Sequence, residues 1–381
     1  VLLCIYLSAG KGRAVKKGEI YEGKVEKITF PNKGFVYVEG ETDPVIVKNA
    51  LPGQTVSFCL TKKKHGKCEG NLLSVTAPGQ DELREPACEH AGICGGCIYQ
   101  SLPYEKQLAI KEEQVFSLLR PVLPEADELF EGIKESPRQF GYRNKMEYTF
   151  GDEYKDGPLS VGMHKRGAFY DIVPVTGCQI ADADFGKILK VTGDFFAERK
   201  IPHFHRMRHD GYLRHLLVRK AAYTGEILID LVTTGAHGLC DAELKECGPD
   251  EKRLLSEWKD QLLDISLEGN IIGILHTIND SVADVVKDEG TYVLYGKDAF
   301  EETCMGLSFT ITPFSFFQTN SLGAEVLYET ARDYIEGELS GAEKIVYDLY
   351  SGTGTIAQLL APAAKKVIGV EIVSEAVEAA R

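Results

Sequence analysis

The sequence predicts a multidomain chain: a small β-barrel at the N-terminus, a central α+β domain, and the opening of a doubly wound α/β fold at the C-terminus. Three observations carry this prediction. Five short alternating runs crowd into residues 18–75, and longer period-two runs separated by helical stretches follow them. The last stretch, 344–381, then reads as strand, Gly-rich turn, helix, strand ending in an acid, and the start of another helix. A length of 381 residues with 44% apolar residues is enough for more than one core.

Each element follows from its own residues. Residues 1–15 open with "VLLCIYL", apolar for only seven positions and followed rather than preceded by charge. That is too short to span a bilayer, so no membrane partner and a cytoplasmic location are expected, with a ragged N-terminus. Residues 16–78 hold "EIYEGKVEKITF", "GFVYVEG", "PVIVKNA", "TVSFCLTKKK" and "GNLLSVTAP", for which an OB-fold-like barrel is the economical closure. Its basic turn, Lys62, Lys63 and Lys64, should project from one hairpin. The central domain is placed at 79–310. It begins with a Pro-bounded linker and a cysteine-rich loop, and continues with "YEKQLAIKEEQVFSLLR" (104–120) at helical spacing, a helix free to pack on the C-terminal domain. Strand-like runs at 138–151, 159–180, 212–235 and 270–280 complete it, with an acidic helical region around Cys240 and Cys247. From 311 onward a helix at 323–335 leads into the α/β segment.

Net charge is −14, which taken whole argues against a polyanionic partner. The charge is unevenly spread, however. Residues 1–80 carry 12 Lys+Arg against 7 Asp+Glu and residues 138–220 carry 15 against 10, whereas 221–381 carry 11 against 28. Two basic segments therefore remain available to nucleic acid, although a charge run is as often a solvated face.

The stretch "CEHAGICGGC" sets Cys88, Cys94 and Cys97 at C-x5-C-x2-C spacing. Disulfides are improbable in a reducing compartment, and paired glycines let the chain wrap closely around a bulky group. Zinc knuckles favour two C-x2-C pairs, and no second pair exists here; an iron–sulfur cluster takes four thiolates of looser spacing. The fourth must come from elsewhere. Cys178, after the turn-forming glycine of "VTGCQI", is the candidate.

In "VYDLYSGTGTIAQ", Asp348, Gly352 and Gly354 occupy the strand-to-helix turn where a nucleotide-like ligand can approach backbone. "KKVIGVEI" supplies a second strand ending at Glu371, placed to bind ribose hydroxyls. No complete G-x-G-x-x-G and no arginine for a 2′-phosphate are present, so S-adenosylmethionine is favoured over a nicotinamide cofactor.

Taken in order, the barrel with its "LPGQTV", the cysteine spacing, "FGYRNKMEYTFG", "FSFFQTN" and "DLYSGTGTIAQ" resemble the RNA uracil-5-methyltransferase family. The likeness is greatest to its 23S ribosomal RNA branch, which has a TRAM domain and a [4Fe-4S] cluster. The resemblance implies a TRAM barrel, a Rossmann-like methyltransferase domain at 311–381, cluster ligands at Cys88, Cys94, Cys97 and Cys178, and S-adenosylmethionine contacts at Gln318, Tyr350, Thr355 and Glu371. It implies C5 methylation of a uridine in 23S rRNA, through a thiolate that adds to C6 of a base flipped from its stack. Arg143 and Phe316 are candidates to hold or stack that base; the bland alternatives are a surface salt bridge for Arg143 and core packing for Phe316. The family's Cys-Asn-Pro nucleophile motif does not occur in this chain. A C-terminally truncated, inactive, monomeric chain is therefore expected, with no catalytic residue assigned. A transfer-RNA uracil-5-methyltransferase and a non-catalytic RNA-binding iron–sulfur protein are the alternatives.

Overall fold

A computed structural model describes residues 15–38, 43–64, 67–168, 170–241, 246–247, 250–282, 288–338 and 344–380. The chain divides into two compact units: the first runs to Ala87 and includes Cys97–Ile133, and the second comprises Cys88–Gly96 and everything from Lys134.

In the first unit β1 (Ile20–Thr29), β2 (Lys33–Tyr37), β3 (Val45–Lys48), β4 (Thr55–Lys64) and β5 (Lys67–Ala77) form a closed barrel in the order β1-β2-β3-β5-β4. Alternation decides what enters it: Val25, Val36, Val45, Val47, Val56, Phe58 and Leu60 are all fully buried. Gly70 is required by this packing, because a Cβ there would lie 2.5 Å from the Phe58 ring. Helices α1 (Tyr104–Leu119) and α2 (Ala126–Leu129) belong to this unit, so the helix expected to pack on the C-terminal domain groups with the barrel. The Gln114 side chain of α1 donates to the Tyr99 hydroxyl, which itself donates to Asn32 Oδ1 at 2.8 Å.

The second unit is organised by β6 (Lys145–Asp152), β7 (Leu159–His164), β8 (Ile172–Val173), α3 (Ala183–Glu198), β9 (Leu213–Lys220) and β10 (Glu226–Thr233). These are followed by β11 (Cys240–Asp241), β12 (Glu246–Cys247), α4 (Glu251–Leu263), β13 (Asn270–Ile278) and β14 (Thr291–Gly296). Seven of these strands make one sheet in the order β14-β13-β10-β9-β6-β7-β8. Only the β10–β13 pair is parallel, as a crossover containing α4 requires. Residues around Cys240 and Cys247, expected to be helical, instead pair as two short antiparallel strands. The helix starts at Glu251, where the Asp250 carboxylate accepts the Lys252 N–H at 3.0 Å and fixes the N-terminus.

One face of the sheet packs on α3 and α4. Tyr148, Phe150, Phe185, Phe195, Phe196, Leu216, Val218, Ile229 and Trp258 form its core. The other face carries a second cluster, with Leu228 and Leu275 of the sheet meeting Phe300, Phe309 and Phe317. β15 (Phe300–Cys304) and β16 (Leu307–Ile311) supply it, together with α5 (Ser321–Glu338). The chain then forms β17 (Ile345–Leu349), α6 (Thr355–Leu360), β18 (Lys366–Val370) and α7 (Ser374–Ala379), with β17 and β18 parallel. That is the order expected of a doubly wound fold. Among the described residues no helix is long and apolar enough to cross a membrane.

Candidate functional site

The expected cofactor residues converge on the β17–α6 turn. Tyr350, Gly352 and Gly354 all adopt positive φ, at 67°, 55° and 75°. Left-handed backbone at three of five positions turns the chain sharply from strand to helix. Open space surrounds the position a Cβ would take on Gly352, so the loop backbone can be approached closely. The Gly352 N–H donates to Glu371 Oε2 at 2.8 Å, and the N–H groups of Ile372 and Val373 donate to Oε1. These amides hold the Glu371 carboxyl below the usual carboxylate range, so it stays ionised at the end of β18. Asp348 contributes a buried Oδ2 without a hydrogen-bond partner, and burial raises its carboxyl against the opposing Ala357 N–H. Thr355 begins α6 and Tyr350 is 90% exposed.

Gln318 reaches the same place through a residue that the sequence reading missed. Its side chain hydrogen-bonds the hydroxyl of Tyr328 on α5, whose acidity is lowered chiefly by burial and also by Cys304 and Asp348. Tyr328 thus links the "FFQTN" loop to the glycine turn. In sequence it is one more apolar position on an amphipathic helix, and nothing local marks it.

The loop 312–320 is held at both ends. Arg219 of β9, 3% exposed, donates to Pro313 O at 3.0 Å and to Ser315 O. At the other end Asn144 donates to Gln318 O at 2.9 Å and to Ser321 Oγ at 2.8 Å, and its N–H bonds Thr319 O. Buried Glu302 accepts from Ser321 Oγ and from the Ala222 N–H. Between these anchors Phe316 is 77% exposed, so it is not core. Arg143 uses its Nε on Lys145 O and forms no ion pair among the described residues.

The cysteine loop docks on the β7–β8 hairpin. Cys94 bridges Lys165, the Gly95 N–H donates to His164 O at 2.9 Å, and the Arg166 N–H donates to Ile93 O at 2.7 Å. Gly95 is needed because a Cβ would come within 2.9 Å of His164 O. Cys178 closes the turn at Thr176–Gly177 through its N–H to Val175 O. Burial chiefly raises the Cys94 thiol; the Gly96 N–H, donating to Sγ at 3.3 Å, opposes this, while Cys178 and Cys88 raise it further. Three thiols are therefore gathered within electrostatic reach. Among the described residues no group of three or more His, Cys, Asp or Glu is arranged to hold a metal ion. One tetrahedral ion would draw its sulfurs to within about 4 Å of each other, whereas a cluster spreads them further apart. An all-thiol donor set is compatible with either a zinc ion or an iron–sulfur cluster.

In the barrel, Lys62 pairs with Glu69 at 2.9 Å, Lys63 Nζ donates to Val15 O, and Lys64 is exposed.

Together these features define a class: a doubly wound module with a Gly-rich cofactor-type turn, joined to an α+β domain and a small barrel. Comparison narrows it. The chain is 45% identical over 368 residues to a Clostridium tetani protein described as an uncharacterised RNA methyltransferase, covering 97% of this chain and 76% of that one. A counterpart in Caldanaerobacter subterraneus is 43% identical, again over 76% of its length. The chain belongs to this family of RNA methyltransferases. Among solved structures, tRNA (uracil-54, C5)-methyltransferase of Pyrococcus abyssi, in complex with S-adenosyl-L-homocysteine, aligns with a TM-score of 0.65. It shares 23% identity and covers 95% of this chain and 75% of that one, which establishes a common fold. No protein-family profile matches the chain. The chain spans about three quarters of the length of these relatives, and the comparisons do not show the expected inactivity.

Proposed function

We propose that the protein methylates C5 of a uridine in 23S ribosomal RNA, using S-adenosylmethionine bound between the glycine turn and the "FFQTN" loop. The convergence of Gln318, Tyr328, Asp348 and Glu371 carries this reading. When bound, S-adenosylmethionine supplies an electrophilic methyl group on a sulfonium. The chain's residues bind and orient it: Glu371, ionised, accepts from the ribose hydroxyls, Gly352 admits the ligand to the backbone, and Asp348 and Gln318 offer polar contacts beside Tyr350 and Thr355. Phe316 stacks the extruded base and Arg143 steadies it. The thiolate that such chemistry adds to C6 is not assigned to any residue here. Cys88, Cys94, Cys97 and Cys178 are proposed to hold a [4Fe-4S] cluster, and the barrel is proposed to act as a TRAM-type RNA-binding module through Lys62, Lys63 and Lys64.

The test is transfer of labelled methyl groups to unmodified 23S rRNA and, in parallel, to unmodified transfer RNA, with the product nucleoside identified by mass spectrometry. 5-Methyluridine in 23S rRNA is expected. Product only in transfer RNA would move the substrate to that of the P. abyssi neighbour, and RNA binding without transfer would leave a binding protein. Anaerobically purified protein should carry about four irons per chain and lose most of them on Cys178→Ser. Stoichiometric zinc would overturn the cluster.

A further inference from the structure

The two faces of the central sheet treat their cations in opposite ways. Lys220, on the α3 side, is bracketed by Asp182 and Asp184, each at 2.8 Å. Arg219, the preceding residue, faces the other side and is more deeply buried, yet among the described residues its side chain donates only to the neutral carbonyls of Pro313 and Ser315. Lys145 stands directly opposite it in the β6–β9 register. Facing side chains in such a pair have Cβ atoms about 5 Å apart. Among the described residues, neither Lys145, Arg143 nor Arg219 makes an ion pair, and the Lys145 ammonium has no hydrogen-bond partner. Burial, then Arg219 and Arg143, push the Lys145 ammonium below its ordinary pKa, and only Glu147 works against them. Glu147, two residues along the same strand face, is exposed and forms no ion pair among the described residues.

Three cations with one unengaged carboxylate nearby are an unbalanced charge in a partly desolvated place, which a protein tolerates at a cost of stability unless an anion arrives. The Arg143 guanidinium spends its Nε on Lys145 O and keeps its terminal nitrogens for a planar two-point contact. The Arg219 guanidinium holds Ser315, the residue next to exposed Phe316. A group bound at Lys145 and Arg143 would therefore lie beside the aromatic ring proposed to stack a base.

We propose that Lys145 and Arg143 form an anion site for one RNA phosphodiester adjacent to the nucleotide stacked on Phe316, with Arg219 as a positioning residue that fixes the loop and adds positive potential. This rests on the RNA-methyltransferase reading above. A phosphodiester suits the site because it is ionised at every working pH and presents paired oxygens. The carboxylate of the methyl donor is the other anion within the same chemistry.

The experiment measures the affinity of the full chain for a ribosomal RNA hairpin as a function of salt, for wild type, Lys145→Gln, Lys145→Arg and Lys190→Gln. Lys190 is an exposed helix residue paired with Asp194, and it serves as the control. Lys145→Gln should reduce the slope of log K against log salt by about 0.7 to 0.9, the value of one phosphate contact. Lys145→Arg should restore the slope, Lys190→Gln should leave it unchanged, and S-adenosylhomocysteine affinity should not move. Thermal unfolding midpoints matched to wild type show that the variants fold. An unchanged slope in Lys145→Gln overturns the proposal while leaving the RNA reading intact. So does an unchanged slope with weakened S-adenosylhomocysteine binding, which would assign the anion to the methyl donor. Failure of the wild-type chain to bind RNA defeats the RNA reading itself, and the site with it.

Discussion

β9 and β10 bury nearly every side chain they carry, whereas β17 and β18 bury none, although the second pair is at least as apolar. Arg214, His215, Arg219 and Asp230 are inside the molecule, while Ile345, Leu349 and Val370 are 54%, 62% and 49% exposed. Burial here follows the number of layers and not hydropathy. β9 and β10 lie in the middle of seven strands with α3 and α4 on one face and the β15–β16 cluster on the other. β17 and β18 are a two-stranded parallel pair, an arrangement that ordinarily relies on cover from both sides. The charged groups inside the central sheet are tolerated because their surroundings are fixed. Asp184, for example, is fully buried and accepts from Lys220 and from the Glu268 and Gly269 N–H groups.

The contrast breaks most readily at the aromatic core. Phe196 is fully buried and meets Phe150, Phe195 and Trp258 at ring-centroid distances of 6.0, 5.0 and 6.0 Å. Phe196→Ala should lower unfolding free energy by about 3–5 kcal/mol, read from the fluorescence of Trp258 in urea. A loss below about 1 kcal/mol would mean that the central sheet is not the rigid part of the chain.

Asp230 sharpens the comparison through pH. Burial pushes its carboxyl up to about 7, with Thr277 as its hydrogen-bond donor and Oδ1 unpartnered. The unfolded value is about 3.9, so between these limits the folded state holds a proton that the unfolded state has released. Stability is therefore lost as pH climbs from about 4 through about 7 and levels off above. Asp230→Asn should remove that loss, stabilising the protein by up to about 4 kcal/mol at pH 8 and by little at pH 4. Equal effects at both pH values would show that Asp230 is ionised in the fold throughout.

The smallest effect belongs to the exposed pair. Leu349→Ala should change global stability by less than about 0.5 kcal/mol. Amides of β17 should exchange with solvent through local opening, well before those of β9, which should require near-global unfolding. Protection of β17 equal to that of β9 would erase the distinction between the two regions.

Much of the site was legible because its parts are local. The glycine turn, the acid ending β18 and the cysteine spacing each depend on a few consecutive residues whose backbone demands are visible in their types. Asn144 carries no local signal of its role, since its partners Gln318, Thr319 and Ser321 lie some 175 positions away. Cys240 and Cys247 were read as helical because acidic and apolar residues run through that segment, but the chain needs a reversal there before α4. Helix propensity is a weak prior against such tertiary demands.

The sequence by itself determined most of the element types, the closed barrel, the doubly wound order at the C-terminus and the residues gathered at the glycine turn, because side-chain periodicity and turn chemistry act over a few residues. Only the tertiary structure decided that Phe316 is exposed between two anchors, that Tyr328 joins Gln318 to Asp348, and that Lys145 and Arg219 face each other with no ion-pair partner among the described residues. Register and burial bring together residues that are distant along the chain, and electrostatic balance is a property of that neighbourhood rather than of any stretch of sequence.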